Sequence, residues 1–364
     1  MFKSYLFSPS VHGHRKLSGD AIVKTIDSLV EKALSRRTFL AGAGAAATAA
    51  ALTGCSGQSY GSGGTTTTGS GTTYSDADIL NYALNLEYLE AQFYLYAATG
   101  SGLASSDTAA PSGYSGSYTE GTVTVGSAAQ VTGLTTAEQE ILNEIAFEEQ
   151  THVQFLRSAL GSAAVPMPSI DLSFFGPLAV AAGITTNATG TGSFNPFSSF
   201  DYFLVGAFIF EDVGVTAYAG AASFISPTGV AAGYLTAASG ILAVEAYHAG
   251  YIRTALTARA IAAGSASAYP YLGDANLVEK LRASLTTGKT AAPSTSGSTE
   301  TLLVLPTSTS TPSAVAAADP TNAIGFSRTF TQVHHIVYGS ATAGVAKGGF
   351  FPNGTNSIFA TTSA

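Results

Sequence analysis

The chain has four long stretches in which apolar or small residues recur three and four positions apart, the spacing of one helix face. Loops rich in Gly, Ser, Thr and Pro separate them. The longest loop carries four prolines between residues 166 and 196 and divides the second stretch from the third. Two helical pairs joined by one long crossover predict an all-α four-helix bundle. The predicted helices cover residues 76–99, 135–160, from about 199, and from 226 to about 263.

Local end signals indicate where two of these helices begin. The sequence Thr135-Thr136-Ala137-Glu138 has the pattern of a capping box, in which a hydroxyl and a carboxylate satisfy the first backbone N–H groups. The fourth helix is predicted to begin at Ser226-Pro227, because Ser is a good N-cap and Pro suits the first helical position.

The region after the bundle, residues 264–364, has weaker patterns. It contains a predicted helix near 276–285, a Thr/Ser/Pro-rich segment at 286–313, and a closing part with aromatic residues and the pair His334-His335. Neither histidine has a carboxylate at ligand spacing, so both are interpreted as surface or packing residues. We expect this mostly irregular extension to wrap the bundle rather than form a second core.

Each predicted helix places a glutamate inside its apolar stripe, and the two halves of the bundle repeat the same offsets. One half carries Glu87, Tyr94, Glu149, His152 and Arg157, and the other carries Glu211, Tyr218, Glu245, His248 and Arg253. Such an internal repeat predicts a site with pseudo-twofold symmetry.

The free-energy cost of burying charge indicates what these glutamates and histidines do. A carboxylate in an apolar interior loses several kcal/mol of solvation unless it is paired, protonated or bound to metal. A Glu-x-x-His unit puts both side chains on one helix face, one turn apart. Four carboxylates and two neutral imidazoles balance two divalent cations, and this donor set suits iron or manganese. The predicted ligands are Glu87, Glu149, His152, Glu211, Glu245 and His248.

An alternative interpretation needs no metal. In it, these residues form a polar core network and Arg157 and Arg253 neutralise the glutamates. Tyr94 and Tyr218 are candidate catalytic residues, although tyrosines at such positions are also common core aromatics. Glu90 and Glu148 lie off the main stripe, which favours a solvated face or hydrogen bonding to a ligand over ligation.

The N-terminus predicts export. Ser35-Arg36-Arg37-Thr38-Phe39-Leu40 precedes an Ala-rich run at 41–52, the layout of a twin-arginine signal, and the run is too short and weakly apolar for a permanent membrane helix. It ends in Leu52-Thr53-Gly54-Cys55, which resembles a lipobox and contains the one cysteine of the chain. We therefore expect a protein exported by the twin-arginine pathway and held at a membrane by lipid on Cys55, in the periplasm or on the cell surface.

Composition narrows the class of partner. The formal net charge is −8, only 15 residues are Lys or Arg, and 46% are hydrophobic. No basic stripe is available to follow a phosphate backbone, so nucleic acid is not an expected partner. The predicted organisation is a signal at 1–55, a Gly/Ser/Thr linker at 56–74, the bundle at 75–263 and the extension at 264–364.

Residues 76–263 resemble the ferritin-like superfamily. The segments 85–94, 148–157 and 348–354 resemble its desiccation-related branch. In the superfamily the first and third helices each give one Glu and the second and fourth each give a Glu-x-x-His, so the resemblance implies the same six ligands as the repeat does.

Three functions are compatible with this sequence. The first is a di-iron or di-manganese oxidoreductase, of the ferroxidase or peroxidase and catalase kinds, that reacts with oxygen or peroxide in stress protection. The second is a non-enzymatic desiccation or stress protein whose site is vestigial or structural. The third is a binding module that presents the C-terminal region to a polymer or partner. Pairing of chains into a homo-oligomer is compatible with each.

Overall fold

The computed structural model describes residues 74–126, 129–184, 194–286, 302–305, 314–318 and 323–363. The predicted export signal, Cys55 and the linker up to residue 73 lie outside the described residues. The helices are α1 (Asp76–Thr99), α2 (Ser105–Thr108), α3 (Thr136–Leu160), α4 (Phe175–Ala182), α5 (Phe200–Ala221), α6 (Pro227–Ala231), α7 (Tyr234–Ala262), α8 (Pro270–Thr286) and α9 (Phe330–Tyr338). Two short strands, β1 (Val123–Thr124) and β2 (Ile170–Asp171), pair in parallel.

The four long helices α1, α3, α5 and α7 confirm the all-α bundle. α3 packs on α1 and α7 packs on α5, while α1 and α5 meet in the centre. Capping boxes open α1 at Ser75 and α3 at Thr135, because each hydroxyl accepts from the N3 backbone and the N3 carboxylate accepts from the cap. The connection between α3 and α5 is the long crossover that the prolines predicted.

The fourth helix begins later than predicted. Ser226 does cap a helix, accepting from the Gly229 backbone N–H, but that helix is only the short α6. Gly233 then adopts φ +87°, a left-handed conformation that cannot continue a right-handed helix, and α7 starts at Tyr234. The expectation of one continuous helix from Ser226 is therefore wrong.

α5 is the central helix of the fold. Within the described ranges, Phe200–Phe224 is the segment long and apolar enough to cross a membrane, and 83% of its most apolar window is buried inside the protein. Its Phe203 and Phe210 rings pack on Phe93 of α1, together with Phe175 of α4. This aromatic cluster fixes the distance between α1 and α5, the two helices that carry Glu87 and Glu211.

In the C-terminal extension, α8 and α9 pack on α5. α8 begins at Pro270, six residues before the predicted start. His334 and His335 are both buried, so the surface interpretation is wrong and the packing interpretation is right. The His334 ring stacks on Tyr338 at 5.0 Å and meets the edge of Tyr82 on α1.

Candidate metal centre

The six predicted ligands converge in the middle of the bundle, and each residue is at most 8% exposed. α1 contributes Glu87, α3 contributes Glu149 and His152, α5 contributes Glu211, and α7 contributes Glu245 and His248. Their donor atoms form two groups in which all atoms lie within 4.8 Å of one another. The first group is Glu87, Glu149, His152 and Glu245, and the second is Glu149, Glu211 and His248.

The two imidazoles define the two positions. His152 Nδ1 lies 3.2 Å from Glu87 Oε2 and 3.6 Å from oxygens of Glu149 and Glu245. His248 Nδ1 lies 3.0 Å from Glu149 Oε1 and 3.5 Å from Glu211 Oε2. Glu149 thus faces one imidazole with each oxygen, which is the geometry of a carboxylate that bridges two ions.

The inward-facing atoms fit a metal better than they fit one another. Despite these short separations, none of them has a hydrogen bond within the described part of the chain. Buried polar atoms almost always have a partner, so eight such atoms aimed at a common centre require an explanation. A pair of cations bound by oxygen and nitrogen donors supplies it. The atoms are Glu87 Oε2, Glu211 Oε2, both oxygens of Glu149 and Glu245, and Nδ1 of His152 and His248.

Tyr94 and Tyr218 bind across the bundle to the opposite half. The Tyr94 hydroxyl on α1 donates to Glu211 Oε1 on α5, and the Tyr218 hydroxyl on α5 donates to Glu87 Oε1 on α1. Each carboxylate is therefore held by its outer oxygen while the other oxygen points inward. The reciprocal bonds bear out the pseudo-twofold repeat. A catalytic role for the tyrosines stays a prediction, whereas positioning of the carboxylates is what the geometry shows.

The two arginines of the repeat bond to other groups. Arg157 donates to the Tyr88 hydroxyl at 2.5 Å and to the Ala109 carbonyl at 2.7 Å. Arg253 is fully buried and donates to Asp212 at 2.7 Å. These bonds give no support to the interpretation in which the arginines neutralise the four glutamates.

The close packing of carboxylates and imidazoles shifts the pKa values of the site residues in opposite directions. Burial lowers the pKa of His152 and His248, but the facing carboxylates Glu87, Glu211 and Glu149 outweigh it and raise the two pKa values to about 11 and about 12. Burial raises the pKa of Glu245 above its usual range, and its carboxylate neighbours add to the shift. For Glu149, burial is outweighed by both imidazoles, which lower its pKa to about 2.

Two further glutamates belong to the site region. Glu148 is half-exposed and its Oε2 lies 2.7 Å from His248 Nε2, so it orients that imidazole, as carboxylates commonly do for ligating histidines. Glu90 is 5% exposed, so a solvated face is the wrong interpretation for it. Burial and the nearby Glu149, Glu87 and Glu211 raise its pKa well above the usual range.

Sequence reasoning missed a buried ion pair network behind the site. Asp212, next to Glu211, binds Arg253 of α7 and Arg282 of α8, and burial is outweighed by these guanidiniums, which lower its pKa. Arg282 also donates to the Phe208 carbonyl at 2.5 Å. The acidic pair Glu211-Asp212 in an apolar stretch was the available signal.

Comparison with known proteins agrees with this architecture. Residues 75–258, just over half of the chain, match the family described as ferritin-like domain. The desiccation-related protein PCC13-62 of Craterostigma plantagineum is 30% identical over 187 residues, 51% of this chain and 54% of that protein. The ferritin-like catalase Nec2 of Nesocodon mauritianus is 30% identical over 146 residues, 40% and 43% of the two chains. The chain thus spans about half the length of the curated relatives it matches.

Proposed function

This chain belongs to the ferritin-like family, and from that premise we propose that its bundle binds two divalent iron or manganese ions and reacts with oxygen or peroxide. The observation that carries the proposal is the set of eight inward-facing donor atoms without hydrogen bonds. Their four carboxylates and two imidazoles match two divalent cations in charge and in ligand preference.

The side chains around this centre have distinct tasks in the proposed function. Glu149 would serve both metal positions, and Tyr94 and Tyr218 would hold the carboxylates of Glu211 and Glu87 in place. Bound iron or manganese supplies the change of oxidation state and the Lewis acidity that peroxide chemistry needs. The side chain of Glu148 is 34% exposed, and those of His152 and His248 are 10% and 5% exposed. In the proposed function, small molecules would approach the centre from the side where α3 and α7 present these residues.

A peroxide-consuming reaction is favoured over other oxygen chemistry. One relative is named a ferritin-like catalase, and the family match at residues 75–258 includes all six donor residues. We therefore expect the metal-loaded protein to decompose hydrogen peroxide.

Oxygen evolution from hydrogen peroxide tests the proposal. The protein is loaded with iron or with manganese, and wild type is compared with the double variant Glu149→Ala, Glu245→Ala. Glu144→Ala, on the exposed side of α3, is the matched control. Turnover by wild type and control but not by the double variant is expected. Equal turnover by the double variant, or none by wild type with either metal, refutes the reaction.

A second candidate is a non-enzymatic desiccation or stress protein with a structural site. The name of the first relative and the low charged fraction of 10% favour it. In that case, cells that express the double variant survive drying as well as cells that express wild type. If survival falls together with peroxide turnover, the enzymatic proposal is preferred.

The place of action is a separate proposal that rests on the N-terminal sequence. The twin-arginine pattern and Cys55 support export and a lipid tether, which puts the peroxide-consuming bundle at the outer side of a membrane.

A further inference from the structure

Glu90 is a buried carboxylate that the six-residue donor set does not use. It lies one helical turn after Glu87 on α1, and the repeat places Gly214 at the same offset from Glu211 on α5. The two halves of the bundle therefore differ here, with a carboxylate on one side and a missing side chain on the other. Glu90 is only 5% exposed.

Gly214 leaves the space into which Glu90 and Glu245 reach. A Cβ at position 214 would lie 2.2 Å from Glu245 Oε2 and 3.3 Å from Glu90 Oε1. The first distance is far below van der Waals contact, so no larger residue fits there without moving Glu245. Both carboxylates thus approach the same point on α5, one turn from Glu211.

The same region breaks the symmetry of the donor set. Glu149 faces one imidazole with each oxygen, whereas only Oε1 of its counterpart Glu245 faces an imidazole, at 3.6 Å from His152. Glu245 Oε2 lies on the side of the cluster next to Gly214. As a result the first group of donors has four residues and the second has three. The second position is one protein ligand short of the first.

Glu90 also has room to move. A cavity of about 10 Å³ lies beside it, walled by apolar side chains of α1 and α5 and by Ile336 and Val337 of α9. This is space for about one water molecule. Packed side chains therefore do not fully enclose the carboxylate on this side.

We propose that Glu90 is a fifth carboxylate ligand of the metal pair, which enters through the space left by Gly214 and adds a carboxylate to one of the two metal positions. The inference rests on the metal binding in the proposed function and adds a ligand that the repeat does not provide. It explains why a carboxylate stands in the apolar interior where the other half of the bundle has glycine.

Binding of Co²⁺ tests this role, because its visible absorption reports both the number of bound ions and their coordination. Metal-free wild type, Glu90→Gln and Gly214→Ala are titrated, with Glu144→Gln and Gly240→Ala as controls. A Cβ at Gly240 meets no atom within 4 Å. Gln keeps the shape and polarity of Glu90 and lacks its charge. We expect one Co²⁺ to bind about ten- to a hundredfold more weakly in both test variants, with an altered absorption band, and wild-type binding in both controls.

The outcomes separate this inference from the proposed reaction. Two equally tight Co²⁺ ions in Glu90→Gln overturn the ligand role, whatever the peroxide activity. Weakened binding in Glu90→Gln supports that role even if wild type decomposes no peroxide. Circular dichroism and thermal unfolding of the metal-free variants establish that they are folded. If Gly214→Ala does not fold, Glu90→Gln alone decides.

Discussion

The Tyr218→Phe variant examines how the tyrosines hold the metal centre. Phe keeps the aromatic packing of this buried ring and removes only the hydroxyl that donates to Glu87 Oε1. Burial raises the pKa of Glu87, so burial disfavours the ionised form of this carboxylate, which a bound cation requires. The lost hydrogen bond therefore matters more in the metal-bound protein than in the metal-free one.

The magnitude follows from the burial of both partners. A hydrogen bond to a charged group contributes about 1.5–3 kcal/mol, and Glu87 is fully buried, so no solvent replaces the donor. Because 1.4 kcal/mol corresponds to a factor of ten, metal affinity should fall about ten- to a hundredfold. The metal-free protein should lose less stability than the loaded one.

Calorimetric metal titration and thermal unfolding, each with and without metal, measure these two effects. Tyr94→Phe is the matched variant, since it removes the reciprocal bond to Glu211. Comparable losses in the two single variants are expected from the pseudo-twofold arrangement. Wild-type metal affinity in both variants would refute the reasoning that the hydroxyls hold the carboxylates in place.

Three other predictions follow from the charges of the site and from the N-terminus. The pKa values of His152 and His248, raised to about 11 and about 12, keep both imidazoles protonated at neutral pH in the metal-free protein. Metal binding must expel these protons, so metal affinity should rise with pH between about 6 and 9. Calorimetry in different buffers should show release of at least two protons for each pair of metal ions bound. A metal affinity that does not depend on pH would contradict this. Glu148→Gln should weaken metal binding about tenfold without unfolding the bundle, and an unchanged affinity would show that the 2.7 Å contact with His248 does not orient the ligand. Cys55→Ala should move the protein from the membrane fraction to the soluble fraction of cells, and retention in the membrane would rule out lipid on Cys55 as the tether.

Local sequence signals predicted most of the bundle, because the forces that set α1, α3 and α5 act within a few residues. Apolar spacing, the capping box at Thr135 and the two Glu-x-x-His units are all local patterns. The predicted start of the fourth long helix, α7, was wrong for a local reason as well. Glycine is tolerated inside helices, so the sequence alone did not distinguish a helical Gly233 from the left-handed one that separates α6 from α7.

Local sequence patterns could not predict the environment of Glu90. Helical periodicity places Glu90 off the buried stripe of α1. That placement would leave its side chain exposed if α1 packed only on the other bundle helices. α9, some 240 residues further along the chain, covers that face, and its Ile336 and Val337 wall the cavity beside Glu90. The same holds for Glu148, whose partner His248 lies on another helix. Contacts between distant segments decide which off-stripe residues are buried, and helical periodicity carries no information about them.

The metal content of the protein purified in its natively matured form tests the central claim most directly. Elemental analysis should find close to two iron or manganese ions per chain, and Glu149→Ala combined with Glu245→Ala should reduce that content to near zero while the bundle remains folded. A wild-type protein that contains no metal, and takes up none on reconstitution with iron or manganese, would contradict the account.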